Sequence, residues 1–62
     1  MAKAQDWIVF IDINGEWNAE VNPHDDNDQV QDIYDKGGRI QAFILSTTKT
    51  EAINYAMEVC TR

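Results

Sequence analysis

Acidic side chains dominate the chemistry available to this chain of 62 residues, which has 11 acidic residues against 5 basic ones. Four aspartates fall three, four and three residues apart, a spacing that places them along one side of a predicted helix. Neighbours at this spacing have Cβ atoms about 5 to 6 Å apart. Because such a row of negative charge suits a protein with a basic surface, we predict an acidic partner-binding face. It consists of Asp25, Asp28, Asp32 and Asp35.

Two other interpretations of this row stay open. Each strand of a nucleic acid carries one charge about every 3.4 Å of axis, so an acidic row also suits a nucleic-acid mimic that occupies a basic groove. Aspartates are in addition favoured near a helix N-terminus by capping and by the helix dipole, which accounts for the row as a solvated face without a function.

Calcium binding is a further use for clustered oxygen donors, which segment 24–28 contains. An EF-hand loop requires a glycine at its sixth position and a glutamate at its twelfth. Counted from Asp26, those positions hold Gln31 and Gly37. The pattern fails, so we predict no metal site and no cofactor.

Catalysis is not predicted either. The single cysteine, Cys60, and the single histidine, His24, have no motif that would pair them as nucleophile and base. The pair Gly37-Gly38 precedes a predicted strand, whereas phosphate-binding loops precede a helix. Two acids near the predicted hairpin turn, Asp12 and Glu16, are expected to be solubilising charges. We therefore expect a protein that is not an enzyme.

The overall charge and apolar content limit the partners and the compartment. A net charge of −6 is repelled by nucleic acid and by anionic membranes, so direct binding to either is not expected. The longest apolar run, residues 7–11, is too short to span a bilayer, and no signal-peptide segment is recognised. One cysteine cannot form an intrachain disulfide and fits a reducing compartment, so a cytoplasmic location is expected.

Residues 7–21 predict a β-hairpin, because two segments of strand-forming residues flank Asn14-Gly15. A two-residue turn there would mix apolar and charged side chains on each face. A three-residue loop with Gly15 in the left-handed conformation instead collects the apolar side chains on one face, so we prefer this register. Its pairs are Ile11 with Trp17, Val9 with Ala19 and Trp7 with Val21.

The remaining chain predicts two helices around a third strand. Residues 27–36 form the first helix, which Gly37-Gly38 terminates, and residues 39–46 form a strand that is apolar on both faces. The segment from Thr48 to Glu51 matches a capping box for a second helix over 49–60. We expect one domain over 1–62, with residues 1–5 disordered.

These elements predict the α+β class, in the order ββαβα. We expect a three-stranded mixed sheet of order 2-1-3 with both helices packed on one face. The other face would then be open, and a short chain gains much from covering it by association, so we predict a homodimer. Three alternatives stay open: a helix covers that face, the edge of the third strand associates, or a different partner covers the face. The predicted self-association residues are Ile8, Phe10, Phe43 and Leu45.

Three functional hypotheses follow from the sequence. The first is a small acidic protein-binding module that acts through the acidic helix face and through self-association. The second is an inhibitor of the kind that phages encode, which mimics nucleic acid and blocks a DNA- or RNA-binding enzyme. The third is a module that binds a metal ion or a small ligand.

Overall fold

The computed structural model describes residues 3–22 and 27–60, the last without its side chain. The α+β class and the sheet order 2-1-3 are confirmed. Helix α1 ends one residue before the predicted boundary, and the first strand begins at Gln5, two residues before the predicted hairpin. The elements are β1 (Gln5–Ile11), β2 (Trp17–Val21), α1 (Asn27–Asp35), β3 (Arg39–Ser46) and α2 (Lys49–Cys60).

The β1–β2 hairpin has the predicted three-residue loop. Ile11 lies opposite Trp17 and Val9 opposite Ala19, so the preferred register is confirmed. Gly15 adopts a φ of +80°, the left-handed conformation that a side chain disfavours. Asp12 Oδ1 accepts hydrogen bonds from the backbone N–H of Asn14 and of Glu16, at 2.9 and 3.0 Å. The loop is therefore held by its own aspartate as well as by its glycine.

Strand β1 lies at the centre of the sheet and pairs antiparallel with both neighbours. The prediction of a mixed sheet is wrong. The crossover through α1 makes β3 parallel to β2, and because β1 lies between them, every neighbouring pair is antiparallel. The β1–β3 register shifts between Val9 and Phe10, where Gln41 is the extra residue of a β-bulge.

The two helices cover opposite faces of the sheet, which corrects the prediction that both lie on one face. Helix α2 contributes Ala52 and Ala56 to a buried cluster with Val9 and Ala19. Helix α1 covers the other face with Ile33. The physical reason is that β1 is apolar on both sides, so one helix on each face buries both. The second cluster consists of Ile8, Phe10 and Ile33, with Val30 and Ile40 packed against it.

Two glycines terminate α1 and let it approach the sheet. Gly38 N–H donates to Ile33 O and Gly37 N–H to Tyr34 O, the two bonds of a Schellman motif, and Gly37 has a φ of +86°. A Cβ on Gly38 would lie 2.9 Å from Ile33 Cγ2. The end of α1 at these glycines was predicted from the sequence. The structure shows in addition that Gly38 permits close contact with Ile33.

The capping box predicted for α2 forms in part. Thr48 Oγ1 accepts from Glu51 N–H at 3.2 Å, as predicted. The Glu51 carboxylate, however, accepts from the hydroxyls of Thr47 and Ser46 instead of from the Thr48 backbone. Over the described parts of the chain, neither helix is long and apolar enough to cross a membrane.

Candidate functional site

A cleft of about 440 Å³ lies between α1 and the β1–β2 hairpin. Buried Phe10 and Ile33 give it apolar lining, and charged side chains from the hairpin, from the C-terminal end of α1 with the residue after it, and from the start of α2 surround them. Three carboxylates and two amines line it, so the cleft combines apolar surface with an excess of negative charge. These charged residues are Asp12, Glu20, Asp32, Lys36 and Lys49.

Local structure places each of the three acidic residues at the cleft, and hydrogen bonds or an ion pair hold the carboxylates of Asp12 and Asp32. Asp12 follows β1 and is fixed by the loop hydrogen bonds that its side chain accepts. Glu20 lies opposite Ile8 in the hairpin, so strand alternation directs it to the face that α1 covers. Asp32 directly precedes Ile33, whose side chain is buried against the sheet. The acids of the cleft are thus positioned by the same contacts that fold the domain.

Electrostatics links the helix and hairpin sides of the cleft through Lys36. Its ammonium forms a 2.9 Å ion pair with Asp32, one helical turn earlier. The hydrogen bond and the charge of Asp32 raise the pKa of Lys36 above its ordinary value of 10.5, and the charge of Glu20 raises it further. Asp32 from α1 and Glu20 from β2 therefore act on the same cation.

This arrangement suits recognition of a cation that has an apolar stem. Lysine and arginine side chains bury their methylene groups against apolar surface while the charged end stays at a polar rim. Ile13, which lines the cleft and is 74% exposed, supplies such a surface above buried Phe10 and Ile33, and the three carboxylates supply acceptors. A guanidinium pairs with carboxylates through a fixed fork of donors, which favours arginine over lysine.

The structure describes three of the four residues predicted for the acidic face. Asp28, Asp32 and Asp35 are all exposed on α1, whereas Asp25 lies outside the described residues. Asp32 pairs with Lys36, which lies just beyond the end of α1, and Asp35 accepts from the Gln31 side chain at 3.0 Å. These three acids form an exposed row on α1, and Asp32 also lines the cleft.

The four residues predicted for self-association divide into two pairs. Ile8 and Phe10 are 0% and 8% exposed, so the expectation that they lie on an open face is wrong, because α1 covers them. Phe43 and Leu45 are 65% and 69% exposed on β3. Helix α1 covers the Ile40 end of that strand and leaves these two side chains outside the core.

Sequence reasoning missed the cleft, although part of its signal was present. The preferred hairpin register already put Asp12 and Glu20 on the same face as Phe10. An open face makes Asp12 and Glu16 solubilising charges, which is the sequence-based expectation, and it gives Glu20 no role. Lys36 lies near these acids only because α1 packs on this face. That packing is a contact between distant elements, so local sequence patterns do not predict it.

Metal binding and known relatives add no further site. Among the described residues, no three histidine, cysteine, aspartate or glutamate side chains are placed to hold a metal ion together. The predictions that involve His24, Asp26 and the Cys60 side chain lie outside the described residues. No family model, curated protein or solved structure matches this chain.

Proposed function

We propose that this protein is a small non-catalytic module that binds a basic segment of a protein partner in the cleft between α1 and the hairpin. The observation that carries the proposal is that carboxylates from two structural units converge around buried apolar side chains. An ordinary solvated helix face has acids on one element only. A cytoplasmic location belongs to the same proposal, since a chain with one cysteine suits a reducing compartment.

Lys36 occupies the position that an incoming cation would take. Its ammonium is held by Asp32, and its side chain is mostly exposed, at 75%. A partner's arginine has to share Asp32 with this lysine or displace it, and an exposed ion pair is weak enough to be displaced. Lys36 therefore acts as an internal competitor that lowers affinity and favours a bidentate guanidinium over a simple amine.

The exposed acids beyond the cleft contribute at longer range. Asp28 and Asp35 extend the negative surface along α1. A field of one sign accelerates the approach of an oppositely charged partner and is screened by salt. We expect substitutions of these two residues to change the association rate, and substitutions of cleft residues to change the dissociation rate.

The proposal is tested by following backbone amide signals in NMR spectra during titration with a short capped peptide that contains arginine. Shifts are expected at the cleft residues, among them Asn18, Glu20 and Lys36, and they should weaken as salt is added. The matched probe is the same peptide with citrulline, which keeps the shape of arginine and lacks its charge. Shifts with citrulline equal to those with arginine, or shifts confined to α2, would contradict the proposal.

A matched pair of variants distinguishes the effect of a charge in the cleft from the effect of the total charge of the protein. Glu20→Gln removes one charge from the cleft, and Glu58→Gln removes the same charge from α2. The first should weaken binding of the arginine peptide, whereas the second should leave it close to that of the native protein. Equal loss in both variants would mean that net charge alone attracts the peptide.

A second candidate function is inhibition by nucleic-acid mimicry, which the three exposed aspartates along one side of α1 favour. This function requires the row Asp28, Asp32 and Asp35, of which only Asp32 also lines the cleft, and it does not require Glu20. It predicts competition with an oligonucleotide for a DNA- or RNA-binding enzyme, lost in the triple asparagine variant. Simultaneous binding of oligonucleotide and protein would exclude it.

The remaining alternative, a module for a small ligand, uses the same cleft with a different occupant. It predicts that free arginine produces the full set of cleft shifts with an affinity equal to that of the peptide. Tighter binding of the peptide would favour a protein partner. A calcium titration without heat and without change in melting temperature would dismiss the calcium version.

A further inference from the structure

The backbone of β3 directs unpaired hydrogen-bonding groups to the open edge of the sheet. Asn22 N–H donates to Asp6 O and Asp12 N–H to Glu16 O, so the even-numbered residues of β1 face β2. Because this direction alternates along an antiparallel strand, the odd-numbered residues of β1 face β3. Their partners in β3 include Ile44, opposite Trp7. The residues between these partners, Phe43 and Leu45, therefore turn their N–H and C=O groups outward.

The opposite edge of the sheet is blocked by the chain itself. In β2 the outward groups belong to the odd-numbered residues. The Asn18 side chain accepts from Ala19 N–H at 2.9 Å, and the Gln29 side chain donates to Val21 O at 2.9 Å. No comparable side-chain bond to the backbone of Phe43 or Leu45 is found among residues 3–22 and 27–60. The two edges thus differ, and only β3 offers a template for another strand.

Charge determines which strand can approach this edge. Residues 39–46 contain no acid and one base, Arg39, in a chain of net charge −6. Two copies of an acidic chain repel each other, and β3 adds no negative charge of its own to a shared edge. The nearest acid on the neighbouring strand is Asp6 of β1, which lies opposite Leu45. In a paired copy the two β1 strands would be three strand spacings apart, about 14 Å at roughly 4.8 Å per spacing. This exceeds the Debye length of about 8 Å at physiological salt.

We propose that β3 pairs antiparallel with β3 of a second copy, so that two three-stranded sheets join into one. The bulge at Gln41 leaves residues 42–46 as the regular part of the strand, and Ile44 is its centre. A two-fold axis there places Phe43 opposite the partner's Leu45, and both pairs exchange backbone hydrogen bonds. These side chains, 65% and 69% exposed in one copy, become cross-strand apolar pairs. This surface is separate from the cleft, so the dimer does not depend on the proposed function.

Sedimentation equilibrium of the full chain over a range of concentrations tests the pairing. The native protein is expected to reach twice its 7.1 kDa mass, and added salt should strengthen the dimer by screening the repulsion between copies. Leu45→Lys should be monomeric under the same conditions with an unchanged circular dichroism spectrum. Val59→Lys, the same kind of change at a residue 52% exposed on α2, should remain dimeric. A monomeric native protein, or a dimeric Leu45→Lys variant, would overturn the proposal.

Two further measurements locate the interface and its register. Exchange of the amide hydrogens of Phe43 and Leu45 should slow as protein concentration rises, and unchanged exchange would contradict edge pairing. In a Cys60→Ser background, Ile44→Cys should form a disulfide across the two-fold axis, because a non-hydrogen-bonded pair has Cα atoms about 4.5 Å apart. Faster cross-linking of Phe43→Cys would show that the proposed register is wrong.

Discussion

The carboxylate of Asp32 lies 2.9 Å from the ammonium of Lys36, one turn later and just beyond the end of α1. This pair stands at the boundary between the acidic row of the helix and the cleft, and Glu20 of β2 adds to its field. A single cation is thus shared by acids from two elements. The relationship makes Lys36 a reporter for the electrostatics of the cleft.

The pKa of Lys36 should respond to both acids. Asp32→Asn is expected to lower it toward 10.5, Glu20→Gln to lower it by less, and Glu58→Gln to leave it unchanged. Because the folded pKa is raised, the ion pair supports the fold at neutral pH, and this support is lost as pH rises through the pKa of Lys36, above about 10.5. NMR titration of the side-chain signals of Lys36 measures the shift. A pKa that does not change in Asp32→Asn would contradict the pairing.

Gly38→Ala should destabilise the domain by steric conflict. The added Cβ would lie 2.9 Å from Ile33 Cγ2 and 3.0 Å from Ile33 O, so we expect a loss of about 1 to 3 kcal/mol in the free energy of unfolding. Gly15→Ala is the matched control, because its Cβ meets no atom within 4 Å and only the left-handed φ is unfavourable. That variant should lose about 1 kcal/mol. Urea unfolding measures both, and a neutral Gly38→Ala would disprove the close contact.

Ile33 should be the most sensitive residue of α1, since it is 3% exposed and anchors the helix on Ile8 and Phe10. Ile33→Val is expected to cost about 0.5 to 1.5 kcal/mol, and Ile33→Ala about 2 to 5 kcal/mol. The larger loss approaches the whole stability of a domain this short, so the valine variant keeps the effect measurable. Tyr34→Ala, at a residue 52% exposed, should cost much less. Similar losses at Tyr34 and Ile33 would contradict the placement of α1.

Thr48→Ala should weaken the start of α2. The variant loses the hydroxyl that accepts from Glu51 N–H, and such a change typically costs about 1 kcal/mol. Thr50→Ala, at an exposed position within the helix, should be neutral or slightly stabilising because alanine favours helix. Thermal unfolding measures the melting temperatures of both variants and so compares the loss of a capping side chain with a change inside the helix. An equal effect in both would argue against capping by Thr48.

Local rules sufficed for the hairpin and for the helix ends. The register followed from Gly15 and from the alternation of Trp17, Ala19 and Val21, since only one loop length gives an apolar face. The stop of α1 followed from Gly37, which adopts the left-handed conformation required there. In each case a few neighbouring residues decide the structure through backbone conformation.

The assignment of helices to faces needed information from distant parts of the chain. Helix α1 has few apolar side chains, and either face of the hairpin offers an apolar surface, so its sequence does not select one. A usable signal was the continuous apolar run at residues 7–11, because a strand buried on both faces has this pattern. It implies one helix on each face, which buries Ile8 and Phe10 and creates the cleft.

The central claim is that the cleft binds a basic segment through Asp32 and Glu20. The most direct measurement compares the dissociation constants of Lys36→Gln, Glu20→Gln and the native protein for the same arginine peptide. Lys36→Gln should bind more tightly, because Asp32 is released from its own lysine. Glu20→Gln should bind more weakly, by about 1.5- to 5-fold, the range of an exposed ion pair. Binding that is unchanged in both variants, or that shifts the same way in both, would contradict the account.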